Sequence, residues 1–377
     1  METHSIRDAS SLRYVTGLDG LRAISMMLVV LFHYTSYFSS GLSELGGAWS
    51  GIVRTASTGW IGVDVFFVIS GFLITTTLLK RPVNSVASYA KFIQRRAVRL
   101  LPAYVASLLI FTLVALLIDP HSKVLKNEYL LWTFTASIQS LFGDRVALAD
   151  QHFTMAHFWT LAVEWHFYIV FPILVARFHS YFRPALALLL VAISFRVVCH
   201  FAGISDNGIY TFTLCRIDSI AVGCLLALVP SHLRSRQSTA AGALGAAMFV
   251  AIWIALACSD VPFKTLAWLQ TFGYTLLAVS VALMIYRVIH SSPRSPIVRV
   301  LEFKPLASIG RASYSLYIWH VPFYPAIALL AQRNFADIRV AYLVAIAAGV
   351  VVTAALGGLS YLFVESRFTR ARPPVLA

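Results

Sequence analysis

The sequence predicts an all-α fold: a polytopic integral membrane protein with about ten transmembrane helices. Three observations predict it. Apolar residues fill 59% of the 377 positions and charged residues only 12%, a balance foreign to soluble domains. Apolar stretches of about 20 residues, the length that crosses a bilayer as a helix, recur along the chain. Basic residues gather in every second segment between those stretches.

In order, the spans are expected at 18–38, 59–79, 100–118, 158–177, 184–202, 208–229, 240–258, 266–289, 309–331 and 338–364. The third is bounded by "RRAVRLLPAY" before it and "DPHSK" after it. Residues 124–143 are mixed in character and suit an interfacial or re-entrant helix, so the count carries a margin of about one. The expected organisation is a cytoplasmic N-terminal segment 1–16, a transmembrane domain 17–365 and a basic cytoplasmic tail 366–377. The first fifteen residues are polar, carry both charge signs and lack a small-residue cleavage site, so they do not read as a cleaved signal peptide.

The net charge of +14 follows topology rather than forming a nucleic-acid surface. Segment 80–99 holds Lys80, Arg81, Lys91, Arg95, Arg96 and Arg99 without an acid, which places it in the cytoplasm. Arg7 and Arg13 at one end, and Arg367, Arg370 and Arg372 at the other, place both termini there as well. Cys199, Cys215, Cys224 and Cys258 stand singly within spans, without metal or disulfide spacing; packing is their expected role and no metal is expected.

The ionisable groups away from the span ends are Arg22, His33, Asp64, Glu164, His166, Arg196, Arg216, Asp218 and His320. A charge at mid-membrane costs about 2.5–3.5 kcal/mol on insertion scales, so each is expected to face a cavity or a partner. Arg22 and His33 are eleven residues apart, three helical turns, which puts them on one face about 16 Å apart. Alone, Arg22 reads equally well as a snorkelling interface residue, and His33 as a histidine satisfied by a nearby carbonyl. Together they suit a ligand held by its anionic part at the inner end, with its reacting group deep in the bundle.

"KFIQRRAVRLLPAY" sets Arg95, Arg96 and Arg99 on about one helical turn. A topology signal would look the same, yet guanidiniums also grip phosphates bidentately. "GWIGVDVFFVISGFLI" plants Asp64 in the second span. "HFWTLAVEWHFYIVFP" sets His157 and Glu164 seven residues apart on one face of the fourth, with Trp159, Trp165, Phe167 and Tyr168 expected as an interfacial aromatic belt. "CRIDS" places Arg216 and Asp218 on nearly opposite sides of the sixth, so each must pair with another helix. "RASYSLYIWHVP" lines up Tyr314, Tyr317 and His320 at three-residue steps.

These segments, with "LDGLRAISMMLVVLFHY", run in order over residues 17–365 and together resemble the bacterial membrane acyltransferase-3 family. The resemblance implies transfer of an acyl group, commonly acetyl, from cytoplasmic acyl-CoA to a hydroxyl of an envelope glycan or lipid-linked saccharide outside the bacterial inner membrane. Carried over by position, His33 is the essential histidine and Arg22 its paired arginine. Arg96 and Arg99 match the Arg-x-x-Arg pair, and Glu164 the acid of the Trp-x-Leu-x-x-Glu stretch. One departure stands out: "VESRF" has Arg367 where the family has a proline, so Glu365 is given no role. A stand-alone form, without a periplasmic esterase-like domain, is expected.

The expected mechanism docks the phosphates of acyl-CoA on Arg22, Arg95, Arg96 and Arg99 and brings the thioester to His33, which acts as general base or nucleophile. Asp64 or Glu164 would orient the imidazole, and Tyr317, Ser70 or a backbone amide near Gly71 would stabilise the oxyanion. Two rivals come from other classes. A proton-coupled transporter would use the same buried groups, but no inverted repeat or pair of Gly/Pro-broken spans is evident. A scaffold subunit would leave the polar stripe without purpose. The acyl group, the acceptor, the choice between base and nucleophile, and the oligomeric state stay open.

Overall fold

The computed structural model describes residues 17–142, 147–230, 235–259 and 261–370. Arg7, Arg13, Arg372, the expected N-terminal segment 1–16 and most of the expected tail lie outside the described residues. Among the described residues, nine helices are long and apolar enough to cross a membrane, and the only strand-like pairing is one isolated bridge between Ala149 and Thr154. The chain is an all-α polytopic membrane protein.

The helices that form the bundle are α1 (Gly17–Ser36), α2 (Ile61–Lys80), α3 (Val86–Ile118), α4 (Trp159–Phe178), α5 (Phe182–Phe201), α6 (Thr213–Leu226), α7 (Ser235–Ala257), α8 (Tyr274–Ile289), α9 (Ser313–Trp319), α10 (Tyr324–Asn334) and α11 (Ile338–Ser360). The third starts at Val86, well before the apolar stretch at 100. Ser85 and Ser88 form a reciprocal capping box there, each side chain meeting the other's backbone N–H. Its 33 residues span about 50 Å, longer than the hydrocarbon slab of about 30 Å.

The ninth expected span is the main departure. Instead of one helix over 309–331, the chain forms a helix Lys304–Arg311, then α9 and α10, with the wider break between the last two. Pro322 explains the break: it lacks the N–H that a continuing helix would offer to the Ile318 carbonyl, and Pro325 opens the first turn of α10. Bare backbone at membrane depth survives only inside protein. Here His320 and Val321 are each 1% exposed, and the segment before α4 closes over them. Thr154 N donates to Pro322 O (3.1 Å) and Ala326 N to His152 O (3.2 Å). The stretch expected to be interfacial or re-entrant is three short helices, Lys123–Lys126, Tyr129–Trp132 and Ala136–Phe142, and it buries Val124, Leu131, Phe153 and Met155 in the same core.

Burial separates inner from outer helices. The most apolar stretch of 206–226, which contains α6, is 83% buried, and those ending in α2 and α4 are 67% buried, against 17% for α7 and 28% for α5. The aromatic belt expected on α4 is therefore core: Trp159 and Trp165 are 8% exposed and Phe167 is fully buried. Cys199, Cys215 and Cys224 are buried as expected of packing residues, whereas Cys258 is exposed.

Helix α6 packs on α2 through two glycines that face each other. A Cβ on Gly71 would lie 1.9 Å from the Ile220 carbonyl oxygen, and one on Gly223 would lie 2.1 Å from that of Val68. Only residues without a side chain let the two backbones meet so closely. Gly71→Val should force α2 and α6 apart and destabilise the bundle by about 3 kcal/mol or more, beyond ordinary overpacking. A thermal melt of detergent-solubilised protein reads it; a melting temperature equal to wild type would contradict the packing.

Candidate active site

Helices α1, α2, α3 and α4 converge on a cavity lined by three guanidiniums, Arg22, Arg96 and Arg99, together with Ser70, Glu164, Tyr168 and Tyr314. Arg96 is steered by Thr77, whose hydroxyl accepts from Nη2 (3.2 Å), and by the rings of Phe92 and Tyr168, 5.6 and 5.4 Å from its guanidinium carbon. Arg22 Nε is a buried donor that meets no acceptor among the described residues. Ser70 Oγ donates to Glu164 Oε1. Arg95 does not line the cavity, a correction to the expectation that it joins Arg96 and Arg99. Glu365, passed over because no proline follows it, is buried at the end of the last long helix, where it accepts from Ser315 Oγ (2.6 Å) within electrostatic reach of Arg22 and Arg99. The three guanidiniums thus share the site with Glu164, and Asp19 and Glu365 lie within electrostatic reach of Arg22.

A second chamber, of about 140 Å³, lies toward the other end of α1 and is lined by His33, His157, Tyr317, Trp60, Gln139, Asn207 and Lys264 among others. His33 Nδ1 lies 2.9 Å from the Val29 carbonyl and 3.3 Å from His320 Nε2. His320 Nδ1 lies 2.6 Å from the Tyr317 carbonyl, and His157 Nε2 lies 3.3 Å from that of Ile318. Tyr317 OH meets Thr160 Oγ1 (2.8 Å) and donates to His157 O (3.2 Å). Lys264 Nζ donates to Asn207 Oδ1 (2.8 Å) over the ring of Tyr210.

A third cavity joins the two. It shares Arg22, Ser70, Glu164 and Tyr314 with the arginine side, and Val63 and Tyr317 with the histidine side. At about 50 and 40 Å³ the two inner cavities each hold only a few waters' worth of space, so the passage is narrow. Arg22 and His33 lie on its wall, as their shared helix face predicts.

The carboxylates expected to orient His33 are elsewhere. Asp64 is fully buried and accepts from Arg216 Nη2 (2.8 Å) and Ser219 Oγ (2.7 Å); Glu164 holds Ser70. Asp218 pairs with Arg196 Nη1 at 2.9 Å and accepts from Thr275 Oγ1 (2.6 Å). Arg196 also donates to the Cys215 carbonyl, and Arg216 sits 4.1 Å from the Tyr274 ring centroid and 5.1 Å from that of Tyr210. Arg216 and Asp218 thus each find another helix, as their opposed faces require. His166 turns to Thr213 (2.8 Å). Sequence reasoning missed Lys264 and undervalued His157, whose only signal was its seven-residue spacing from Glu164.

Breaking a buried ion pair leaves an uncompensated charge, which costs about 3–5 kcal/mol, while replacing both partners by apolar groups costs far less. Asp64→Ala should therefore lower the melting temperature sharply, and the double variant Asp64→Leu with Arg216→Met should recover most of it. If the single variant melts like wild type, the pair is not structural.

Known proteins bear on this geometry. The chain is 26% identical over 373 residues to the O-acetyltransferase OatA of Staphylococcus aureus, an alignment covering 94% of this chain and 57% of that protein. It is 31% identical over 378 residues to YrhL of Bacillus subtilis, to which peptidoglycan O-acetyltransfer is provisionally assigned, covering 94% of this chain and 54% of that protein. The chain therefore spans little more than half the length of these relatives. No solved structure matches it. A family model described as an acyltransferase domain matches residues 15–361, through every helix that lines the passage. On that match the chain belongs to the acyltransferase-3 family.

Proposed function

We propose that the protein is a membrane O-acyltransferase. It moves an acyl group, acetyl by analogy with the O-acetyltransferases it resembles, from a coenzyme A thioester to a hydroxyl of an envelope glycan. What carries the reading is the row of three adjoining cavities, sharing lining residues, that leads from Arg22, Arg96 and Arg99 to His33. The three guanidiniums gathered at one end suit the donor's phosphates. About 16 Å of helix separates Arg22 from His33, the order of length of an extended pantetheine arm. In this reading the arginine end faces the cytoplasm of a bacterial inner membrane and the histidine chamber the outside, which the basic loops support.

In the reaction, His33 takes the acceptor's proton or first accepts the acyl group itself. Of the expected oxyanion donors, Tyr317 lines both the passage and the histidine chamber, and its hydroxyl would turn from the His157 carbonyl and Thr160 to serve. Ser70 is committed to Glu164, and Gly71 is packed against α6. The transporter reading draws on the break between α9 and α10, since transporters build sites from discontinuous helices; family membership favours acyl transfer.

In proteoliposomes supplied with acetyl-CoA and a glycan, His33→Ala should abolish acetylation while the protein still inserts and folds. Substrate flux without acetylation in the wild type would favour transport. Arg99→Ala should weaken acetyl-CoA binding about 10- to 100-fold, the value of one or two charge-assisted hydrogen bonds, in a direct ligand-binding measurement. Unchanged affinity would remove the arginines from the donor site.

A further inference from the structure

The break after α9 leaves helix-end carbonyls without backbone partners. Ile318 O would bond the N–H of residue 322, which is proline, and Tyr317 O lies in the last turn of the helix. Both carbonyls are met by imidazole nitrogens, that of Ile318 by His157 Nε2 and that of Tyr317 by His320 Nδ1. A carbonyl oxygen can only accept, so the nitrogen facing it carries the proton. His320 is therefore protonated at Nδ1, and its neutral ring presents a bare lone pair at Nε2. That lone pair lies 3.3 Å from His33 Nδ1, whose other neighbour, the Val29 carbonyl at 2.9 Å, is also an acceptor. Two acceptors around one nitrogen require a proton on it.

We propose that His320 is a positioning residue that holds His33 in the tautomer protonated at Nδ1 and bare at Nε2. The inference rests on the acyl-transfer reading for its consequence but not for its geometry. The bare Nε2 of His33, on the chamber wall, is the atom that takes the proton of the acceptor hydroxyl. As it does so, the acceptor oxygen bonds the acyl carbon, the carbon–sulfur bond breaks, and the departing thiolate recovers the proton from Nε2. His320 Nε2 and the Val29 carbonyl hold the Nδ1–H throughout and steady the transient imidazolium. They fill the place that a carboxylate takes in hydrolytic triads, and Asp64 and Glu164 are absent from it because their charges are committed to Arg216 and Ser70. The groups facing the His33 ring are thus His320 from the broken helix, His157 behind it, and Lys264 across the chamber.

The tautomer is read directly, without activity, from nitrogen-15 shifts of histidine-labelled protein in bilayers, with His33 assigned by its loss in His33→Gln. The expected result is a protonated Nδ1 and a bare Nε2 on His33 at neutral pH, with His320→Leu mixing the two tautomers; a protonated Nε2 in the wild type overturns the proposal. In the acetyl-transfer assay, His320→Leu should lower kcat about 10²-fold with an unchanged KM for acetyl-CoA. His320→Gln, whose amide oxygen stands where Nε2 stood, should keep more of the rate, a rescue that a purely structural role would not produce. Wild-type kcat in folded His320→Leu overturns it too; if that variant does not fold, the wild-type spectrum decides. An inactive wild type would sink the acyl-transfer reading alone, leaving the spectrum to judge the tautomer.

Discussion

A guanidinium or carboxylate carried into hydrocarbon must meet an opposite charge, a polar partner or water, and the arrangement of this bundle follows from where each such group finds one. Around α6 the account closes. Arg216 meets Asp64 and Arg196 meets Asp218, all four side chains shut away from solvent and boxed in by Tyr210 and Tyr274. These pairs tie α2, α5 and α6 together where the glycine contact has already brought two backbones into touch. Charge and packing converge on one central helix.

At the arginine mouth the account stays open. Arg22, Arg96 and Arg99 are gathered on one cavity, and Arg22 Nε has no acceptor among the described residues. A buried guanidinium donor left without a partner in a cavity is an invitation to an anion that arrives and leaves, which a closed ion pair does not extend. The difference between a closed ion pair and an open cluster thus divides scaffold from site in a chain whose buried charges look alike when read one at a time.

The histidine chamber rests on a different defect. Pro322 stops a helix at a depth where stopping is costly, and the freed carbonyls are satisfied by imidazoles rather than by the backbone. The segment before α4 supplies both a backbone cover for the break and, in His157, one of those imidazoles. A single residue without an N–H links the loop, the broken helix and α1.

The sequence by itself determined the class of fold, most of the spans and the shared face of Arg22 and His33, because hydropathy needs only local composition and a helix fixes the direction of residues eleven apart. It also required partners for Arg216 and Asp218, since their opposed faces forbid a mutual pair. It could not choose those partners. Asp64 went to Arg216 rather than His33, Arg95 fell outside the cavity and Glu365 came near Arg22, each through helix contacts between residues from about 70 to more than 300 positions apart. Those contacts are set by how the helices pack, which no local pattern encodes. Only the tertiary structure could decide which charges cancel and which wait for a ligand.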